Sequence, residues 1–439
     1  MMRFIYTLQV VALVVVLVTG CKNGEPIHPP VDETPTYNLT DFQPSQACST
    51  CHPQQYNDWS GSMHRYSTND PIWMMAGNSL QLQTGGRLQS WCFQCHSPIA
   101  FLTKSAPLTP FQIGSLPSIV KEGVNCDFCH ILRPPYTTTS QVVKYNIKPG
   151  MTKYGPIADP IATGAHESEY DPSYNRSEAC RSCHDLIVNN VPVEITFREW
   201  QNSPWGAMSV ECQDCHMLQY TGRAAVGGPI RNDLRRHDFI GVDVAITDFP
   251  NKPEQQALID SLLKNSASMT INVPPTVALE DTIKVEVTVC NDKTGHNLPT
   301  SVFFNRQMWV EVTAWNDRDT AYRSGHLDAN GDLMDKNSSL QPNADKDLTV
   351  FGGTLYKKGQ ETNVFELDSL VNNSIPPFAS RTAHYNFKAP YTGVWNISVR
   401  LLFRPFGPYL FRAVGAQQYI AELPIFEMVK QETILNVQQ

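Results

Sequence analysis

The alternation of apolar and polar positions divides the chain into three stretches. Near the start, Val10-Val-Ala-Leu-Val-Val-Val-Leu-Val18 is an unbroken apolar run that follows Arg3. In the last third the pattern has a period of two, in the runs Met269 to Val273, Thr282 to Val289, Met308 to Ala314, Thr382 to Phe387 and Trp395 to Leu402. Successive side chains of a strand point to opposite faces, so these β-branched runs each offer one face to a core. They predict an antiparallel, immunoglobulin-like β-sandwich over 268–439. Between Cys48 and His237 neither period is sustained. Pro and Gly interrupt the chain there, as at Lys148-Pro-Gly150 and from Pro156 to Gly164, which predicts short helices joined by long loops. One amphipathic segment, PEQQALIDSLLK within Lys252 to Lys264, predicts a connecting helix in 246–267. The fold class expected is therefore α+β and multidomain: a mostly α or irregular part over 47–245, then the sandwich.

The irregular middle has too little apolar chain to make an ordinary core, and cysteine explains how it folds. Ten of the twelve cysteines sit in five copies of C-x-x-C-H. The copies are Cys48/Cys51/His52, Cys92/Cys95/His96, Cys126/Cys129/His130, Cys180/Cys183/His184 and Cys212/Cys215/His216. In this pattern two thiols add to the vinyl groups of a haem and the histidine ligates its iron. Structural zinc also uses C-x-x-C, but a zinc ribbon takes such pairs in twos, and five cannot be so paired. Histidine is only 12 of 439 residues, so five chance successors are improbable. On one turn of helix, positions three or four apart share a face, so both sulfurs and the imidazole can address one porphyrin. Five covalently bound haem c groups, at about 34 residues per motif from Cys48 to His216, would themselves be the core of 47–245.

The apolar run now reads as a targeting element. It ends in Val18-Thr-Gly-Cys21, which resembles a bacterial lipoprotein signal over 1–20 with Cys21 lipidated and a Pro- and Thr-rich tether over 21–46. The run is short for a retained membrane span. Lys22 after that cysteine favours the outer membrane. An exported, lipid-anchored protein on the periplasmic or cell-surface face is expected, and haem attachment across the cytoplasmic membrane agrees with it. A net charge of −8 without any basic run argues against nucleic acid as a partner. Cys290 reads as a small buried residue, and Asp328-Ala-Asn-Gly-Asp332 as a turn, because its glycine is misplaced for a calcium loop.

Seven histidines lie outside the motifs. His28, His326 and His384 have no context that lifts them above ordinary residues. His64 follows His52 by twelve residues, about 18 Å along a straight helix, whereas two axial nitrogens about 2 Å either side of one metal are about 4 Å apart. His52 and His64 therefore cannot hold the same iron unless the chain reverses at Ser60-Gly-Ser62. His166 precedes the fourth motif, His237 follows the fifth, and His296 sits in a turn between strands.

Trp59-Ser-Gly-Ser-Met-His64, Gly123-Val-Asn-Cys-Asp-Phe-Cys-His130, Phe197-Arg-Glu-Trp200 leading into Cys212-Gln-Asp-Cys-His-Met217, and Gly295-His-Asn-Leu-Pro-Thr300 resemble the multihaem cytochromes c related to the electron-accepting partner of hydroxylamine oxidoreductase. The resemblance runs from Cys48 to about Arg412 and includes Arg404-Pro-Phe-Gly-Pro-Tyr-Leu410. It implies distal iron ligation by His64 and His296 and, by position, by His166 and His237. Four distal histidines serve five haems. The segment Ser203-Pro-Trp-Gly-Ala-Met208, where relatives offer a histidine, has none, so one iron is left to methionine, another histidine or an open position.

The function expected is electron transfer along closely spaced, mostly bis-histidine haems, with redox-protein donors and acceptors, in the periplasm or in extracellular electron transfer. No catalytic residue is assigned. The alternative is a multihaem reductase whose one open haem acts on a small nitrogen or sulfur oxyanion. In either case the sandwich could dock a partner or the next copy of the chain in a longer haem array.

Overall fold

The computed structural model describes residues 35–106, 110–138, 142–161 and 164–439. The signal, Cys21 and His28 lie outside these residues. Among those described, no helix is long and apolar enough to cross a membrane.

The first half consists of short helices whose ends are set by local chemistry. Pro53 opens the helix Pro53–Ser60 directly after His52, where its missing N–H costs nothing. The Asn125 side chain accepts the Phe128 N–H at 2.8 Å and so caps Cys126–Ile131, the helix that carries the third motif. In the first, second and fourth motifs the histidine N–H bonds the carbonyl of the first cysteine, His52 to Cys48 at 2.9 Å, His96 to Cys92 at 3.3 Å and His184 to Cys180 at 3.1 Å. Each of these bonds closes a single turn over its motif. The expectation of a mostly helical or irregular part needs one amendment. Small two-stranded sheets join its loops, among them the hairpin Gln219–Arg223 with Ile230–Arg235.

Two stretches of this half are built by the same device. The Ser45 hydroxyl and N–H both bond Glu122, and that hydroxyl accepts the Cys126 N–H at 3.2 Å. The Ser177 hydroxyl and N–H both bond Glu211, and that hydroxyl accepts the Cys212 N–H at 2.9 Å. The indole N–H of Trp59 bonds the Val124 carbonyl at 2.8 Å, and that of Trp200 bonds the Val210 carbonyl at 2.7 Å. Ser62 and Ser203 each bond the carbonyl of the tryptophan three residues earlier and cap the next turn. The half is thus an internal duplication, its first copy holding the first and third motifs and its second copy the fourth and fifth. The second motif lies in the extra chain of the first copy.

The second half is β-rich. A six-stranded sheet has the order Thr276–Ala278, Phe426–Gln438, Gly393–Arg404, Gln307–Trp315, Thr320–Ser324, with Thr349–Phe351 also paired to Gln307–Trp315. A three-stranded sheet has the order Ser380–Phe387, Ile283–Cys290, Ser268–Asn272. All five strands read from alternation are present. Their inward residues, Val285, Val287 and Tyr385 from one sheet and Val310, Val312, Ile397 and Val399 from the other, share one core. Burying each such side chain stabilises the fold by about 1.5–3 kcal/mol. The six-stranded sheet is not wholly antiparallel, because Thr276–Ala278 runs parallel to Asn436–Gln438. Cys290 is only half buried.

The helix Lys252–Lys264 buries Ile259 and Leu263 in the core shared by the two sheets. The halves are fastened directly. Arg306 makes a double ion pair with Asp243, and the Asn189 amide bonds the carbonyls of Phe365 and Leu367. Leu355, Phe365 and Leu367 complete the apolar core of the first half, where Phe365 meets Trp91 edge-on at 4.8 Å.

Candidate haem sites

Each motif imidazole is oriented through Nδ1. His52 faces the Ala224 carbonyl at 2.6 Å, His130 the Tyr154 carbonyl at 2.7 Å, His96 the Ser67 carbonyl at 3.2 Å, and His216 the Ile240 carbonyl. A carbonyl can only accept, so these rings carry their proton on Nδ1 and present the Nε2 lone pair, the tautomer that ligates a metal. His184 differs. Its Nδ1 faces the carboxylate of Glu194 at 3.6 Å, beyond hydrogen-bond length.

The histidines outside the motifs come to them in pairs. His166 faces His52 with ring centres 6.1 Å apart, His237 faces His130 at 6.4 Å, and His296 faces His216 at 6.2 Å. In all three the planes are within 26° of parallel. Two nitrogens about 2 Å either side of one metal, each about 1 Å from its own ring centre, put the ring centres about 6 Å apart. The separation fits one iron between each pair. The outer imidazoles use the same Nδ1 device, with acceptors Glu167, Arg235 and Asn297 at 2.9, 3.0 and 2.9 Å.

His64 packs its ring on Phe239 at 4.5 Å and is within electrostatic range of His184. Its proton affinity is pushed down to about 3, by burial first and by the His184 imidazole second. Gly123 makes this placement possible, because a Cβ there would stand 2.3 Å from the His64 carbonyl. Burial likewise pushes His96, His237 and His296 down to about 4. Neutral imidazole is the ligating form, so these shifts suit iron. At His184 burial also lowers proton affinity, but the Glu194 carboxylate outweighs it and holds the ring up at about 9.

Thiols of different motifs also lie near enough to shift one another's proton affinity: Cys48 and Cys126, Cys180 and Cys212, Cys95 and Cys183, and Cys129 and Cys183. The fourth motif therefore has the second, third and fifth as electrostatic neighbours, and the first has the third. Cys51 and Cys215, in the first and fifth motifs, are exposed. Four of the C-x-x-C-H turns present Nε2 through a carbonyl on Nδ1 and three face a second imidazole, an arrangement that fits haem c.

Three of the four histidines named from the sequence thus face the first, third and fifth motifs, and His64 packs its ring on Phe239 at 4.5 Å within electrostatic range of His184 of the fourth. Beside His96 stands Trp73, its ring 5.1 Å away at 25°. His326 bonds Thr313 and His384 lies on the surface by Glu286, both away from the motifs. Asp328 closes its own turn onto Asn330 and Asp332, and Asp332 pairs with Arg412. Sequence reasoning missed Asp58, which is buried and bonds Arg236 through both oxygens at 2.7 Å while accepting the His237 N–H at 3.2 Å. It also missed Glu194, which nothing in the local sequence distinguishes.

Residues 47–131 match the family of cytochrome c554 and c-prime. No curated protein matches the chain. A penta-heme cytochrome c552 from Thermochromatium tepidum is similar in structure at 20% identity, with a TM-score of 0.63, over 90% of this chain and 99% of that one. The CARDB domain of a Pyrococcus furiosus protein matches at 12% identity and a TM-score of 0.18 over 39% of this chain and 87% of that one, too weakly to carry an argument. The likeness shows that the chain has the fold of a penta-heme cytochrome c with a β-rich C-terminal part.

Proposed function

We propose that this chain is a multihaem electron-transfer cytochrome with five covalent haem c groups, four of them held by two histidines. The observation that carries it is the set of three imidazole pairs with ring centres 6.1 to 6.4 Å apart, each joining a motif histidine to one distant in sequence. Haem, when bound, supplies one-electron iron chemistry. The chain's own residues fix the ligands: backbone carbonyls hold Nδ1 in four of the five motifs, and the Cys-x-x-Cys turns hold the ring edges. An iron with two protein ligands shuttles electrons without binding substrate. Close haem spacing is supported by the electrostatic proximity of thiols of different motifs, and electron entry and exit at the first and fifth motifs by the exposure of Cys51 and Cys215.

The relation to the electron acceptor of hydroxylamine oxidoreductase, the lipid anchor at Cys21, the outer-membrane location and self-association are parts of this proposal that rest on the sequence. Spectra of the oxidised and reduced protein test the reading, which expects four low-spin haems. Mainly high-spin iron would overturn it. A second reading, an enzymatic site at the second motif, is favoured by the use of all four distal histidines elsewhere and by Trp73, not an imidazole, beside His96.

A further inference from the structure

The proximal imidazoles differ in one respect that bears on redox balance. Four face neutral backbone carbonyls through Nδ1, and His184 alone faces a carboxylate. Glu194 is nine-tenths buried, at 9% exposure. Its charge is damped by little else: the Thr196 N–H reaches Oε1 at 3.4 Å, and the Ser301 hydroxyl lies near. A buried negative charge 3.6 Å from Nδ1 raises the basicity of the imidazole and favours the more positive, oxidised state of a metal on Nε2. The cysteines of the same motif lie within electrostatic range of cysteines of three others.

We propose that Glu194 is a positioning residue that lowers the reduction potential of the haem held by Cys180, Cys183 and His184, making it the last of the histidine-capped haems to be reduced. The inference rests on the haem reading above. It gives the branch point a distinct role: an electron moving between the two copies of the duplicated unit passes through a site it does not come to occupy. No ionisation change is needed, only the fixed charge.

The test is a potentiometric titration of the full-length holoprotein, followed by electron paramagnetic resonance, on wild type and Glu194→Gln. Intact mass is measured first, so that failure to carry five haems, which would sink the haem reading, is separated from failure of this one. The variant keeps the shape and removes the charge. One low-spin haem should become easier to reduce by tenfold or more in its oxidised-to-reduced ratio, 59 mV for one electron, with altered g-values and the other four unchanged. Unchanged potentials in a five-haem variant would overturn the proposal, as would an equal shift of all five. If the variant does not load haem, the wild type decides: the low-spin signal that disappears in His64→Ala must be the last of the histidine-capped signals to be reduced. Any earlier place in that order overturns the proposal.

Discussion

Replacing His296 by Ala tests the haem reading and the attachment of the β-rich half in one experiment. The imidazole of His296 faces that of His216 at 6.2 Å, its Nδ1 is held by the Asn297 carbonyl at 2.9 Å, and its own carbonyl is held by the Asn291 amide at 2.8 Å. Asn291 is fully buried and also bonds the Ile375 carbonyl at 2.8 Å, so the loop stays in place when the imidazole is removed. The magnitude follows from counting ligands. Five motifs and four distal histidines give one haem in five without a histidine cap in the wild type and two in five in the variant. The high-spin share of the absorption and magnetic spectra should therefore double. Stability should fall only in part, because the Arg306 to Asp243 ion pair, the Asn189 bonds and the Phe365 contact with Trp91 remain. If all five haems keep their spectra in the folded variant, the facing of His216 and His296 is not ligation, and the reading of the other two pairs loses its support.

Cys126→Ala with Cys129→Ala should remove one haem of five in intact mass and lower the melting temperature of the whole first half, since the cofactor has no apolar substitute there. Asp58→Ala should destabilise by about 2–4 kcal/mol in denaturant titration, because it strands Arg236 and the His237 N–H; Arg236 is partly exposed, which keeps the cost below that of a fully buried pair. Asp70→Asn keeps the cap on Ile72, whose N–H bonds Asp70 at 2.8 Å, and removes a carboxyl that burial pushes up to about 7. The folded state binds that proton more tightly than the unfolded, so stability falls as pH rises from about 4 to 7, and the variant should flatten this slope in melts across that range. Cys21→Ser should release the protein from the membrane fraction, as read by fractionation and blotting.

How much could be read in advance depended on how local the physics is. The motif turns and the five alternating strands were legible because a single turn and a single pleat each repeat over a few residues. The helix Lys252–Lys264 was legible for the same reason. The pairing of His52 with His166 or His216 with His296 was not, since nothing local encodes which imidazole crosses to which metal. Phe426–Gln438, the longest strand, went unread because Lys430, Gln431 and Glu432 break its alternation at an exposed stretch. The parallel pairing of Thr276–Ala278 depends on the far end of that strand and has no local signature. The duplication, by contrast, was available: Trp59 and Ser62 repeat as Trp200 and Ser203, and Val124 and Cys126 as Val210 and Cys212.

That duplication accounts for the uneven supply of distal ligands. Each copy places two motifs by one serine, one glutamate and one tryptophan, and the three facing imidazole pairs all fall at these motifs, as would the proposed cap of the fourth by His64. The second motif stands in the extra chain between Trp59 and Glu122, outside the repeated frame. What meets it is therefore what packs around an insertion: Trp73, Phe93 and Phe111 on one side and the Cys183 sulfur on the other. The first copy's capping turn, begun by Ser62, carries His64, and the matching position after Ser203 is Trp205, which stacks on Phe378 of the β-rich half at 5.7 Å. The second copy thus packs an aromatic against the β-rich half where the first has an imidazole, and the loop carrying His296 returns from that half to the last motif. On the proposed haem reading, the β-rich half would end the array where a further repeat would have continued it.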